Sequence, residues 1–437
     1  MSLFSAQIAA VSVLIVCYVF LITEKLNRAV TVLLGASALI VLKVLTQKSA
    51  ISGIDFNTIL LLIGMMVIVG IAEKSGMFQA LAILSAKVVK ASPRGILLMF
   101  GVLTAVLSAL LDNVTTVLLI VPITLDLTRA LKLNPMPYLL LEIFTSNIGG
   151  TATLIGDPPN ILIGSALHLS FMDFVLELTP IVIINLALIL IVFDILVGQK
   201  LKADEASRAD ILKISAKEMI TKTSLFYQSL FVLTLLLIGF VTSEYLRVEN
   251  GTIALFGAAL MLFLYTYGEA HMPRDQKVED AFSLVDWTTI FFFCGLFVIV
   301  FSLETTGLLE MLGAKLAALT KNSVQHATFA VLWLSAVLST LIDNIPFVAT
   351  MIPTLKSMEV TLGGREAMMP VWWALSLGSC LGGNGSLIAA SANVIVAGFA
   401  SRTGQPIRFA KFLLYGLPVM LVSMLLSSLY LYLKYFL

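Results

Sequence analysis

Two Asp-Asn pairs stand 231 positions apart in long stretches that are otherwise almost wholly apolar: Asp112-Asn113 and Asp343-Asn344. A third carboxylate, Asp157, immediately precedes Pro158-Pro159 in another apolar stretch. Carboxylates inside a membrane are costly and usually functional, because they bind and release protons or cations. We therefore expect Asp112, Asp157 and Asp343 to bind a coupling ion, with helix capping alone as the alternative role.

Two glycine-rich stretches, residues 149–160 and 382–393, carry neutral polar side chains in apolar surroundings. Glycine permits unusual backbone angles and Pro158-Pro159 cannot continue a preceding helix, so each stretch is expected to end one helix and start another. Their amides and hydroxyls suit a small polar solute, and a thiol suits As(III) or Sb(III). The predicted solute-binding residues are Asn113, Thr151, Thr153, Asn160, Asn344, Cys380, Asn384, Ser386 and Asn393.

Lys and Arg are absent from the stretches that carry these motifs, which are residues 95–128, 138–199, 322–355 and 366–401. A multivalent anion would therefore meet carboxylates and no basic partner from the motifs. The motif chemistry favours a cation, a proton or a neutral polar solute.

The composition places these motifs in a membrane. Of the 437 residues, 59% are hydrophobic and 12% are charged, with a mean hydropathy of +1.02. Soluble domains are about 45–50% apolar and about 25% charged, so a soluble enzyme and a nucleic-acid binder are excluded. The sequence has three cysteines, no Cys/His zinc pattern and no phosphate-binding loop of the form GxxxxGK[ST]. We therefore expect neither a metal, nor a cofactor, nor an enzymatic activity.

The second half of the chain repeats the landmarks of the first half. At a shift of 231 positions, Asp55 aligns with Asp286, and eight of the eleven residues 103–113 have identical counterparts. Two inserted residues then bring Asn160 into line with Asn393. The predicted division is a first repeat over residues 1–197, a linker over 198–225 and a second repeat over 226–437.

Each repeat has apolar runs for five membrane crossings. It adds a re-entrant helical hairpin, at about 95–131 and about 326–358, and a helix broken by an unwound loop, at about 147–160 and about 380–393. Because five is an odd number, the two repeats should be inverted relative to each other. The expected fold class is an all-α polytopic membrane protein made of two inverted repeats.

The distribution of Lys and Arg predicts the orientation. With the N-terminus outside, most basic residues fall on the inner side, as the positive-inside rule requires. These are Lys25, Arg28, Lys87, Lys90, Arg94, Arg129, Lys132, the basic residues of the linker, Arg274, Lys277, Arg402, Arg408 and Lys411, whereas the outer side has Lys43, Lys48, Lys315, Lys321, Lys356, Arg365 and a few more. We therefore expect a multi-pass protein of the cell (inner) membrane with a cytoplasmic linker and both termini outside. The uncharged start of the first apolar run favours a retained span over a signal peptide.

The hairpin from Leu111 to Val117 with Pro122, together with the loop over residues 149–160, resembles the Ion Transporter superfamily. That superfamily includes dicarboxylate/sodium symporters, arsenite efflux permeases, some sodium/proton antiporters and the melanosomal P protein. The resemblance covers both repeats and implies a scaffold part, a moving substrate part, elevator-like alternation and a homodimer. The dicarboxylate symporters have Ser-Asn-Thr at both tips, so Asp112 and Asp343 favour the arsenite permease and P protein branch.

These observations predict a secondary active transporter that exports arsenite or antimonite in exchange for protons. A sodium/proton antiporter using the same carboxylates is the alternative, and a sodium-coupled anion symporter is less favoured. Paired hairpins argue against a channel or a purely structural protein. The expected partners are a small inorganic solute, a coupling ion (H⁺ or Na⁺), the lipid bilayer and a second copy of the chain, with a cytoplasmic ATPase subunit left open and no nucleic acid.

Overall fold

The computed structural model describes residues 3–23, 25–267 and 273–437. Helix accounts for 79% of the chain, and the described residues contain no strand. Ten of the described helices are long and apolar enough to cross a lipid bilayer. The predicted class, an all-α polytopic membrane protein, is therefore confirmed.

The first half of the chain, as far as it is described, folds into a series of helices that begins near the N-terminus. They are α1 (Leu3–Thr23), α2 (Arg28–Val41), α3 (Gln47–Ser52), α4 (Phe56–Glu73), α5 (Met77–Val88), α6 (Pro93–Leu110), α7 (Asn113–Ala130), α8 (Met136–Gly150), α9 (Pro158–Leu167) and α10 (Phe171–Leu196).

A single 3₁₀ turn (Gly198–Lys200) and the short helix α11 (Glu205–Lys213) form the linker. The second half then repeats the order of the first. Its helices are α12 (Thr223–Leu246), α13 (Asn250–Tyr267), α14 (Arg274–Phe282), α15 (Trp287–Thr305), α16 (Leu308–Leu319), α17 (Val324–Leu341), α18 (Asn344–Glu359), α19 (Met369–Gly382), α20 (Ser391–Arg402) and α21 (Phe409–Tyr435).

Corresponding helices of the two halves pack in corresponding ways. Helix α6 packs on α8 as α17 packs on α19, and α4 packs on α13 as α15 packs on α2. The halves also exchange contacts, because α9 lies against α18 while α20 lies against α7. The order of the helices thus follows the sequence repeat, while the inverted orientation and the domain bounds stay predictions.

Each half contains a hairpin of two helices that separate at an Asp-Asn pair. In the first, Oδ1 of Asp112 accepts a hydrogen bond from the backbone N–H of Thr115 at 2.7 Å, which caps α7. In the second, Oδ1 of Asp343 accepts from the backbone N–H of Ile345 at 3.0 Å, which caps α18. The first N–H groups of a helix lack partners inside it, so a carboxylate at this position fixes where the helix starts.

The two predicted unwound loops are present over residues 151–157 and 383–390, between α8 and α9 and between α19 and α20. A glycine precedes each loop for a steric reason. A Cβ atom on Gly149 would lie 2.1 Å from the carbonyl oxygen of Ala105, and one on Gly382 would lie 2.9 Å from that of Ala336. The broken helices therefore approach their hairpins backbone to backbone.

The linker lies across the junction of α4 and α5. The sequence predicts a solvated helix on the membrane surface, but Ile211 of α11 is only 1% exposed. The backbone N–H and the hydroxyl of Thr221 donate to the carbonyl oxygens of Ser75 and Lys74, each at 3.0 Å. The linker is thus packed on the helical bundle and is not solvated along its whole length.

The α4–α5 junction also contacts α14. Lys74 forms an ion pair with Asp280, and the hydrogen bond from its ammonium group holds the pKa of Asp280 below its usual value. At the start of α5, Gly76 adopts φ +81, and a Cβ atom there would lie 1.8 Å from the carbonyl oxygen of Met219. The equivalent Gly307 adopts φ +73, and nothing lies within 4 Å of its Cβ position.

The substitution Gly76→Ala should lower the free energy of unfolding more than Gly307→Ala. Both place a side chain at positive φ, which costs about 1–2 kcal/mol. Only the first also forces a Cβ atom against the linker backbone, which adds about 1–3 kcal/mol. Thermal unfolding of the two purified variants in detergent measures the difference, and equal losses would show that the linker does not rest on Gly76.

Candidate functional site

The two hairpin tips and the first unwound loop meet at a cavity of about 340 Å³. We call it the tip cavity. Its wall follows α4 from Leu61 to Glu73, so it reaches the end of the bundle where the linker crosses the α4–α5 junction. Its polar lining comes from several separate elements of the chain. These residues are Arg28, Glu73, Asp112, Asn113, Thr115, Asp157, Asp286, Thr289, Asn344 and Ser391.

A second cavity of about 340 Å³ adjoins the first, and we call it the side cavity. Asp343 and Pro346 line it from the second hairpin, and Ile388 lines it from the second unwound loop. Arg28 and Ser391 line both cavities. The two capping carboxylates, Asp112 and Asp343, therefore belong to neighbouring cavities and not to one.

Asp157 has the most open hydrogen-bonding capacity of the three predicted coupling residues. Its side chain is fully buried, and its Oδ1 accepts from Nδ2 of Asn113 at 3.2 Å. No donor among the described residues lies within hydrogen-bond distance of its Oδ2, although the side chains of Asn344 and Cys380 lie close enough to interact with this carboxyl group. Its side chain does not cap α9. A buried carboxylate oxygen without a donor is costly, so this atom can accept a ligand that enters the tip cavity.

Asp112 is more fully engaged. Besides the backbone bond to Thr115, its Oδ2 accepts from the hydroxyl of the same residue at 2.5 Å. Asp286, which also lines the tip cavity, caps α15 in the same manner through Thr289. Both carboxylates therefore share their negative charge with the start of a helix, which limits what they can offer to a solute.

The unwound loops are braced by one asparagine each. Nδ2 of Asn160 donates to the carbonyl oxygens of Thr151 and Thr153 at 3.1 and 2.9 Å. The equivalent Asn393 donates to those of Gly383 and Ser386 at 2.7 and 2.9 Å. These amides replace the hydrogen bonds that a continuous helix would provide.

The two loops are also joined to each other across the repeats. Nδ2 of Asn147 donates to the Oδ1 atoms of Asn384 and Asn393 at 2.9 and 3.0 Å. From the second repeat to the first, the hydroxyl of Ser376 donates to Oδ1 of Asn160 at 2.6 Å. Sγ of Cys380 lies 3.5 Å from the same oxygen. Asn147 and Cys380 thus have equivalent roles.

The sequence reasoning missed Asn147. The available signal was its alignment with Cys380 between the two repeats, at the residue where each broken helix approaches its loop.

The structure divides the predicted residues into two groups. Asn113, Asn344, Asp112 and Asp157 line the tip cavity, and Asp343 lines the side cavity. The other predicted solute-binding residues line neither cavity. They are buried, and their side chains form hydrogen bonds within the broken helices and loops, between the loops, or to the adjacent hairpin helices. These are Thr151, Thr153, Asn160, Cys380, Asn384, Ser386 and Asn393.

Arg28 brings a basic group to the site from outside the motif stretches, a source that the sequence-based expectation did not consider. From the start of α2 it donates to the hydroxyls of Ser391 at 2.9 Å and Thr289 at 2.8 Å, and it lies 3.9 Å from Oδ2 of Asp286. The charge count over the motif stretches could not include it, because it belongs to a span that carries no motif. Its basic character suggested only an inner membrane boundary.

A polytopic bundle in which two hairpin tips and two broken helices meet at a cavity with polar groups is typical of membrane transporters. The profile of the citrate transporter family matches residues 18–378, so this chain belongs to that family. It is a secondary transporter, and its resemblance to the Ion Transporter superfamily is confirmed.

Several relatives match nearly the whole chain. An uncharacterized transporter of Mycobacterium tuberculosis is 39% identical over 435 residues, which cover 98% of this chain and 99% of that protein. The mouse P protein is 31% identical over 98% of this chain and 60% of its own length. Among solved structures, the YdaH transporter of Alcanivorax borkumensis matches with a TM-score of 0.54 at 15% identity, over 89% of this chain and 88% of that one, which supports the fold alone.

The substitution Asn147→Ala should destabilise the protein by about 1–3 kcal/mol, because it removes a buried donor from two buried amide oxygens. Asn185→Ala is the matched control, since Asn185 is equally buried but donates to Ile181 of its own helix. Thermal unfolding of both variants tests the comparison. A loss for Asn147→Ala no larger than the control's would mean that the contact between the loops adds no stability.

Proposed function

We propose that this protein exchanges a small polar solute for protons and that Asp157 binds the proton. The observation that carries the proposal is the buried, unpartnered Oδ2 of Asp157 in the cavity where both hairpin tips meet. Because Oδ1 of Asp157 already accepts from Asn113, Oδ2 is the oxygen that either holds a proton or, when ionised, accepts a hydrogen bond from the solute. This competition links the two fluxes.

The lining of the tip cavity favours a solute without a large negative charge. Asp112, Asp157, Asp286 and Glu73 face it, against the one guanidinium of Arg28. Asn113 and Asn344 supply amide groups that donate and accept. Arsenite and antimonite are largely uncharged trihydroxides at neutral pH, so they fit such a lining, and we propose them as the exported solutes.

Asp112 and Asp343 stay in the proposal as further ion-coupling residues. Their case is weaker than that of Asp157, because backbone N–H groups already bind both of them at helix starts. Asp343 faces the side cavity, which adjoins the tip cavity at Arg28. A proton or cation released from one carboxylate would therefore have a second acceptor nearby.

Alternating access is proposed for the cycle. The tip cavity extends toward the end of the bundle that carries the linker, and the two loops are hydrogen-bonded together, so they can move as one unit. If the linker is cytoplasmic and both termini lie outside, this conformation faces inward in the inner membrane. A homodimer rests on the resemblance alone, and a cytoplasmic ATPase subunit stays an open alternative.

One observation favours a second candidate, an organic anion such as citrate. Arg28 and the hydroxyls of Thr289 and Ser391 form a group of donors at the border of the two cavities. Guanidinium groups are well suited to carboxylates, and the family profile is described as a citrate transporter. Sodium/proton antiport through Asp157 is the remaining alternative.

The deciding experiment is proton movement in proteoliposomes that hold a pH gradient. Arsenite, antimonite, citrate and NaCl are added separately. Collapse of the gradient by the metalloids alone supports the proposal. Collapse by citrate alone supports the anion transporter, and collapse by NaCl alone supports the sodium/proton antiporter.

The substitution Asp157→Asn should reduce solute-driven proton movement to the background of empty vesicles. The substituted amide can still accept the hydrogen bond from Asn113, so the fold should persist, but it cannot take up a proton. Asp126→Asn is the control, because the Asp126 side chain is 78% exposed and pairs only with Arg129 of its own helix. Normal coupled transport by Asp157→Asn would rule out Asp157 as the coupling residue.

The substitution Arg28→Gln separates the two solute classes. A neutral trihydroxide should still be transported within a few fold of the native rate, because the glutamine amide can replace the hydrogen bonds to Ser391 and Thr289. An anion should lose tenfold or more in apparent affinity, equivalent to about 1.4 kcal/mol, with partial recovery in Arg28→Lys. Solute-uptake assays over a concentration series distinguish these results.

A further inference from the structure

A fourth buried carboxyl group lies outside both cavities. Glu142, on α8, is fully buried, and its Oε1 accepts a hydrogen bond from the hydroxyl of Thr124 on α7 at 2.5 Å. Its Oε2 is buried and has no hydrogen-bond partner among the described residues. An ionised carboxylate in such surroundings would be poorly stabilised.

The second repeat shows that the fold does not require this carboxyl group. In the alignment of the repeats, Thr124 corresponds to Leu355 and Glu142 corresponds to Leu375. Both leucines are fully buried, and α18 packs on α19 as α7 packs on α8. The same helix–helix contact is therefore made once with two leucines and once with a carboxyl and a hydroxyl group.

Neither an ion pair nor a metal accounts for Glu142. The helices packed on α8 include α6, α7, α10, α19 and α20, and no charged side chain described on them forms an ion pair or hydrogen bond with it. Among the described residues there is also no cluster of three His, Cys, Asp or Glu side chains. The charged residues on those helices are Arg94, Asp126, Arg129, Asp173, Glu177, Asp194 and Arg402.

Several of those charged residues have their own partners. Arg94 pairs with Asp194 at 2.6 Å, Asp126 with Arg129 at 3.6 Å, and Glu177 with Lys434 at 2.7 Å. The remaining ligand for an isolated, buried carboxyl group is a proton.

We infer that Glu142 is a second proton-binding site of this protein, separate from the tip cavity. It lies five residues before Asn147, which is about 7.5 Å along the helix axis, on the segment that leads into the first unwound loop. A proton on Oε2 keeps the carboxyl neutral while Oε1 accepts from Thr124. Loss of that proton leaves a charge for which the described residues supply neither a cationic partner nor a donor to Oε2.

If a later conformation of the transport cycle exposes Glu142 so that it releases its proton, Glu142 and Asp157 together carry two protons for each solute. This inference adds a site to the proposed exchange, but proton binding at Glu142 does not depend on which solute is transported. The site would respond to pH even if Asp157 had no coupling role.

Two variants test the inference. Glu142→Gln keeps the shape and removes the acid, and the double variant Thr124→Leu with Glu142→Leu copies the second repeat. Infrared difference spectra over a pH series should show the carbonyl stretch of a protonated carboxyl in the native protein, with one such band missing in both variants. Counts of protons bound per protein over the same pH series should fall by one.

Transport gives the second readout. In proteoliposomes, the ratio of protons to solute should fall by one in both variants, while their thermal stability stays near that of the native protein. A band and a proton count that are unchanged in both variants would overturn the inference. A missing band with an unchanged ratio would show that Glu142 binds a proton and would overturn its role in the transport cycle. If Asp157→Asn transports normally while the Glu142 variants lose a proton, the proposed function fails and the second site remains.

Discussion

Backbone groups at membrane depth must find their hydrogen bonds inside the protein, and the rest of this structure depends on that constraint. Two stretches, 151–157 and 383–390, leave the helix within the bundle. Asn160 and Asn393 donate to their free carbonyl oxygens, and Gly149 and Gly382 let the broken helices reach the hairpin backbones. The polar interior is therefore first a means of holding non-helical backbone, and only part of it remains for a solute.

That division of labour explains the composition of the tip cavity. The hydroxyls of Thr153 and Ser386 bond to the hairpin helices of their own repeats, and the amides of Asn160 and Asn393 bond to the loop backbones. These side chains therefore do not line the cavity. Of the polar groups that do, Asp112 and Asp286 are held at helix starts and Arg28 is held by two hydroxyls. Among the residues that line the cavity, Asp157 has a buried oxygen with no donor at hydrogen-bond distance among the described residues. Asn147, Asn384 and Glu142 also have a buried atom without a partner in the described part of the chain, but they do not line the cavity. The candidate site therefore consists of cavity-lining polar groups whose hydrogen-bonding capacity is not fully taken up by the fold.

The sequence was sufficient to predict the helical class, the hairpin tips at Asp112 and Asp343, and both unwound loops, because glycine, proline and capping carboxylates act locally. It could not separate Thr151 or Asn384, which are engaged within the loops, from Asn113 and Asn344, which line a cavity. The type of a side chain determines which hydrogen bonds it can donate or accept, but only the tertiary structure determines with which partner it forms them. The sequence did not predict Arg28 as a cavity residue, because α2 carries no motif and only the tertiary structure places this residue at the cavity.

The hydrogen bonds between the loops also bear on how the chain is made. Asn147 emerges from the ribosome more than two hundred residues before Asn384 and Asn393, which accept its hydrogen bonds. Oδ1 of Asn160 likewise lacks the hydrogen bond from Ser376 until that residue has been synthesised. Until the second half is inserted, the first half holds buried amides without partners, which is unfavourable in hydrocarbon. Completion of the fold is therefore tied to the last part of synthesis, and a chain truncated before α19 would present unpaired polar groups to the quality-control machinery of the membrane.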